Sequence, residues 1–215
     1  MWNWYYGTKY SDAGEQLNEK DDKKVFNQIK NLNKHESEEI LKPFLMEKIN
    51  NENSELNQFI KIAEHEFKDK FSDACKLLEK ITNKPISFSE MTFYVTTFPR
   101  MVVFFDESII FMYVKINKEL WGMPIDGFMH EGLHFQFQKY WRDNKKSPVS
   151  KLSEDDYFML KESLTVILDE ELSPIISIPD NSYPNFSEFR QKLYKKWQES
   201  QDFDGLVKFG LNELA

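Results

Sequence analysis

The chain has 215 residues, is 40% hydrophobic and 15% aromatic, and carries a formal net charge of -8. That length and the 19 Phe are enough for a sizeable core, while an acidic balance without a basic stripe argues against a nucleic-acid partner. The single cysteine, Cys75, excludes an internal disulfide and a Cys-based zinc site.

Residues 1–24 mix aromatics with a charged stretch. Met1-Trp2-Asn3-Trp4-Tyr5-Tyr6-Gly7 has neither the basic nor the leucine-rich region of a signal peptide. The first ten residues are expected to pack on the body. No apolar run approaches the roughly 18 residues of a membrane span. A cytoplasmic protein without membrane contact is the expectation.

Residues 25–84 read as helices. Ile40, Leu41, Phe44, Leu45 and Ile49 recur at spacings of three and four, and Pro43 predicts a break or kink among them. A second amphipathic run goes from Ser54 to Ile81 and ends before Pro85. Within it, His65-Glu66-Phe67-Lys68-Asp69 reads as a solvated helix face. His35 is expected in a polar, exposed connection.

At residue 86 the pattern changes to β-formers. Phe93 to Phe98, Met101 to Phe105 and Ile109 to Ile116 are strand candidates, with Asp106-Glu107-Ser108 as a hairpin turn. Asp126 is expected to cap a helix from Gly127 to about Asp143. Ser153, followed by Glu154, Asp155 and Asp156, predicts a second helix start, running to about Leu172. Amphipathic helices from Ser187 and from Leu206 complete the chain.

His130-Glu131-Gly132-Leu133-His134 fits the pattern H-E-x-x-H, which puts two imidazoles one turn apart on one face of a helix. At about 100° per residue, Phe137 and Trp141 share that face while Phe128 and Phe135 lie nearly opposite. A helix apolar on both sides runs through an interior. Two buried histidines then need partners, because an unsatisfied buried polar group costs a few kcal/mol. One metal ion would serve both. Gly132, mid-helix, costs about 1 kcal/mol relative to Ala, and is expected to admit a close neighbour.

Zinc needs a third protein ligand and an open position. No histidine follows His134, so Asp and Glu are the candidates. Glu162 stands out as a carboxylate inside the otherwise apolar run Tyr157 to Leu168. Asp169, two turns on, suits a partner for the free N–H of a ligating imidazole. Glu170 and Glu171 read as solvated. Glu131 is then the general base for a metal-activated water.

His130-Glu131-Gly132-Leu133-His134 followed by Glu162 on a second helix resembles the zincin metallopeptidases, specifically their gluzincin branch. The likeness covers about residues 90–172. Phe137 and Tyr140 stand where the three-histidine metzincin pattern has Gly and His. Lys161 and Val166 flank Glu162 where the thermolysin-type pattern has Asn and Asp. The resemblance implies an α+β, zincin-like fold: N-terminal helices, a small mixed or antiparallel sheet, the active-site helix and C-terminal helices. It implies one domain over residues 1–215, with a mainly helical lobe at 1–84, sheet and metal-binding helices at 85–172, and C-terminal helices at 173–215. It also implies one zinc ion on His130, His134 and Glu162, with an edge strand between Phe93 and Ile116 holding extended peptide. The oxyanion donor stays open, since Tyr183, Arg190 and Tyr194 all read as structural.

The function expected is zinc-dependent hydrolysis of a peptide or protein substrate. Two alternatives stand beside it: a zinc-binding protein of the same fold with regulatory or lost activity, and a helical interaction protein in which the motif is accidental.

Overall fold

Asn33 opens the longest element of the protein. Its side chain accepts the Glu36 N–H while the Glu36 carboxylate accepts the Asn33 N–H, a reciprocal cap that satisfies two otherwise orphaned donors. The computed structural model describes residues 20–96, 102–113, 124–168 and 184–214. The aromatic N-terminus, Asp169, Glu170, Glu171 and Tyr183 lie outside the described residues.

Helix α1, Lys20–Ile29, precedes the capped helix α2, Lys34–Thr82, of 49 residues. No break occurs at Pro43 or between the two runs read from the sequence. A proline removes one N–H and crowds the carbonyl four residues earlier. The turns on either side keep their own bonds, and the helix continues. His35 lies in the first turn of α2, with its side chain 83% exposed. Leu41, Phe59, Ala63, Ala74, Leu78 and Ile81 are the buried hydrophobic positions described on α2, at intervals close to multiples of the helical repeat.

Strands β1 (Thr92–Thr96), β2 (Val102–Phe104) and β3 (Ile109–Tyr113) form one sheet in the order β1-β3-β2. A tight turn at residues 105–108 joins β2 to β3, so these two run antiparallel. The Thr92 N–H donates to the Ser108 carbonyl, pairing the beginning of β1 with the beginning of β3, so those two run parallel. Ser108 takes a φ of 53° in the turn, the left-handed conformation that closes it. The small sheet is therefore mixed, and a mostly helical chain with such a sheet is of the α+β class.

Helix α3, Pro124–Phe137, begins one turn earlier than Asp126 suggested. Proline suits a first helical position because its missing N–H has no helical partner there. The next N–H, of Ile125, is taken by Glu66 of α2 at 3.1 Å, which leaves Asp126 inside the first turn rather than at the cap. Gln136, near the far end of α3, is fully buried. Its amide accepts the Ser87 N–H and donates to the Thr82 hydroxyl and the Lys84 and Pro85 carbonyls. After α3 the chain makes a π-helical turn, Gln138–Arg142, closed by the Asp143 N–H on the Gln138 carbonyl.

Helix α4, Glu154–Leu164, starts as expected at Ser153, whose hydroxyl accepts the Asp156 N–H. It tightens into a 3-10 turn over Thr165–Leu168. Helices α5, Ser187–Ser200, and α6, Phe203–Leu214, follow. Among the described residues no helix is long and apolar enough to cross a membrane.

The chain divides into two units. One comprises Met1–Lys61, Tyr94–Val102 and Phe111–Trp121; the other comprises Ile62–Phe93, Val103–Ile110 and Gly122–Ala215. The second holds a core in which Leu78, Phe128, Leu133, Phe137, Leu160 and Leu193 are buried together. All the residues of the candidate site belong to it.

Candidate metal centre

Helix α3 is buried at every position but Asp126, Gly127 and His130, as its two apolar faces required. A β-carbon on Gly132 would come within 2.7 Å of Leu78 Cδ1. The glycine thus lets α2 approach, and α3 is held against α2 along its length, from Glu66 through Leu78 to the Gln136 amide.

The i, i+4 spacing brings the Nε2 atoms of His130 and His134 to 3.0 Å. Glu162, on α4, supplies the third atom. Its Oε2 lies 3.2 Å from His134 Nε2 and 3.4 Å from His130 Nε2. Among the described residues, His130, His134 and Glu162 are the group able to hold a metal ion. A tetrahedral ion with donors at about 2.0–2.1 Å keeps those donors about 3.3–3.4 Å apart. The three separations fall within a few tenths of an ångström of that, so the donor set fits.

The chemistry of the three atoms points the same way. A carboxylate only accepts hydrogen bonds, and a neutral imidazole carries one acceptor nitrogen. Unless a ring proton or a cation lies between them, three lone pairs face one another in a buried site. The side chains of His134 and Glu162 are 2% and 5% exposed, that of His130 20%, so solvent reaches the group from the His130 side.

Burial lowers the His134 pKa to about 3, with the Lys161 ammonium adding to the effect and Glu162 opposing it. The ring is uncharged at neutral pH, the form that binds metal. Burial works against charge on Glu162 as well, but the His134 ring and the Lys161 ammonium outweigh it and hold the carboxyl well below the usual carboxylate range. Because the ring is neutral, Lys161 supplies the full positive charge facing that carboxylate. Its Nζ lies 2.6 Å from Glu162 Oε1.

Glu131 follows His130 on α3 and is buried. Two residues, Lys161 and Glu66, gained roles that the sequence reading did not assign, and a third, Arg190, has the structural role it was given there. Lys161 was noted there only as a departure from a pattern. Arg190 is buried and donates to the Glu162 carbonyl at 2.8 Å and to the Thr165 hydroxyl at 2.9 Å, a structural role. Glu66 is buried, whereas His65 and Asp69 beside it are exposed and pair with each other. The reading of that segment as a solvated face therefore holds for those two and fails for Glu66. A signal for it existed: Glu66 falls three residues after Ala63 and eight before Ala74, on the apolar stripe.

Compared with protein-family models, with curated proteins and with solved structures, the chain finds no match. Fold and site together define an α+β protein with a candidate metal-binding group of two histidines and a glutamate.

Proposed function

We propose that the protein is a zinc-dependent peptidase with a zincin-like arrangement of the gluzincin type. The observation that carries the reading is the convergence of His130, His134 and Glu162 from two helices, with Glu131 next to the first ligand on a buried helix. Two imidazoles and one carboxylate are a donor set that zinc enzymes use. When bound, zinc supplies a positive charge that acidifies a water and polarises a substrate carbonyl.

The chain's own residues do the rest. His130, His134 and Glu162 would hold the ion, leaving a position for water on the side where His130 is partly exposed. Glu131 accepts the proton of the attacking water and delivers it to the amine of the leaving peptide. The apolar surroundings of α3 exclude other water, which strengthens each of these charge interactions. The substrate is a peptide or protein.

Metal analysis of protein purified without chelator tests the first part, and one zinc per chain is expected. A chain without stoichiometric metal would sink the reading. Cleavage of a peptide library tests the second. Glu131→Gln is expected to keep zinc and lose about 100-fold or more in turnover, the range typical of a general base. Zinc without any cleavage would leave a metal-binding protein rather than a peptidase. Glu162→Ala is expected to lose zinc, and unchanged binding would move the third ligand elsewhere.

A further inference from the structure

Glu162 divides its two oxygens between two environments. Oε2 faces both imidazoles, at 3.2 and 3.4 Å. Oε1 is held by the Lys161 ammonium at 2.6 Å. The pair is well shielded, with side-chain exposures of 15% for Lys161 and 5% for Glu162. The Lys161 ammonium also lies 5.6 Å from the centre of the Phe158 ring, one helical turn away on α4, close enough for the ring face to favour its charge. A sequence-adjacent lysine would ordinarily point into solvent. This one is folded back along α4 against its neighbour's carboxylate.

We propose that Lys161 is a positioning residue that restricts Glu162 to one ligating oxygen and so keeps a coordination position of the ion open for water. The inference rests on the metal reading above and adds a role for Lys161 to it. A carboxylate binds a metal through one oxygen or two, and hard cations use both modes. Here the second oxygen is already bonded to a cation. For it to swing onto the ion, a shielded ion pair would have to break and leave an ammonium without its counter-charge. The pair therefore sets the number of protein donors at three. Three donors plus an open position is the arrangement of catalytic zinc, while a closed set of four is structural. Lys161 touches neither substrate nor reacting atoms in this role; it acts through Glu162.

Cobalt(II) in place of zinc provides a readout independent of turnover, because its visible absorption is strong in four-coordinate sites and weak in sites of higher coordination. Wild-type protein, Lys161→Met and Lys161→Gln are each loaded with one equivalent of cobalt, after circular dichroism shows which variants are folded. The wild type is expected to show the strong bands. Each folded variant is expected to lose a clear part of that intensity, as Glu162 closes onto the ion with both oxygens. Spectra of folded variants that superimpose on the wild type overturn the role of Lys161 while leaving the metal site standing. A wild-type protein that takes up no cobalt overturns the metal reading itself, and this inference with it. Should neither substitution fold, the crystal structure of the zinc-loaded wild type decides: one Glu162 oxygen on the ion and the other on Lys161 supports the proposal, and both oxygens on the ion overturn it.

Discussion

Arg190 grips the backbone of Glu162, the residue whose side chain faces the two histidines. Its guanidinium, on α5, donates to the Glu162 carbonyl and to the Thr165 hydroxyl, and that hydroxyl donates to the same carbonyl at 2.6 Å. The end of α4, where carbonyls lose their helical partners, is thereby satisfied from another helix.

Replacing Arg190 by Met removes both donations from a buried site. A hydrogen bond to a charged group is worth about 1.5–3 kcal/mol, so Arg190→Met is expected to lower stability by about 2 kcal/mol in urea unfolding. Because the grip orients the proposed third ligand, zinc affinity is expected to fall by about tenfold or more, as for other groups that hold ligands in place. Competition with a chromogenic chelator measures it. Unchanged affinity would show that Glu162 keeps its position without α5.

Glu66→Ala leaves the Ile125 N–H at the start of α3 without its acceptor and Lys70 without its 3.0 Å partner. A buried donor left unpaired costs about 1–3 kcal/mol. Glu66→Gln retains an acceptor oxygen and is expected to lose distinctly less. Equal losses in thermal unfolding would mean that the charge, rather than the acceptor, supports the helix start.

Gly132→Ala sets a gain against a clash. Alanine favours the helix by about 1 kcal/mol over glycine. Its β-carbon would meet Leu78 Cδ1 at 2.7 Å, and Leu78 is completely buried, so it has little room to move. Overpacking typically costs about 1–3 kcal/mol, and a net loss of about 1 kcal/mol is expected. Combining Gly132→Ala with Leu78→Val should cost less than the sum of the two single changes. Simple additivity would show that Leu78 is not the obstacle.

Acid is expected to destabilise the metal-free protein. His134 has a folded-state pKa of about 3, against about 6.5 for an exposed histidine. Below pH 6.5 the unfolded chain binds a proton that the folded chain refuses, so stability falls with falling pH by up to about 1.4 kcal/mol per unit until the ring titrates near pH 3. The lowered Glu162 acts in the same direction. Its contribution is present above the ordinary carboxylate pKa and is lost as pH falls through its lowered folded value. Urea midpoints of the chelator-treated protein from pH 7 to 5 test this, with a loss of about 2 kcal/mol expected. A flat profile would place a charged His134 in the folded state.

The parts of the fold that were legible in the sequence are those that depend on near neighbours. The i, i+4 histidines, the Ser153 cap and the Asp106-Glu107-Ser108 turn each involve groups within four residues. Glu162 was legible for a different reason, as a carboxylate where burial would otherwise forbid one. Of the break or kink read at Pro43, the break is absent, because the turns around a single proline carry the helix past it. Glu66 misled because its charged neighbours hid its place on the apolar stripe, and its acceptor role is fulfilled 59 residues away. Nothing in spacing reveals such a pairing. The orientation of Lys161 was likewise invisible, since adjacency in a helix does not tell which way a long side chain folds.

The attachment of α3 at Ile125, Gly132 and Gln136 has a consequence for how a cation would be captured. With both imidazoles carried on a helix fixed to its neighbour near each end and in the middle, their relative placement is preorganised by the core. The ordering entropy of binding then falls on the other helix, which must present Glu162. In hydrogen exchange, zinc is expected to slow the amides of α4 and its 3-10 extension while leaving those of α3 unchanged; equal slowing of both helices would mean that the histidine pair is itself assembled by the metal.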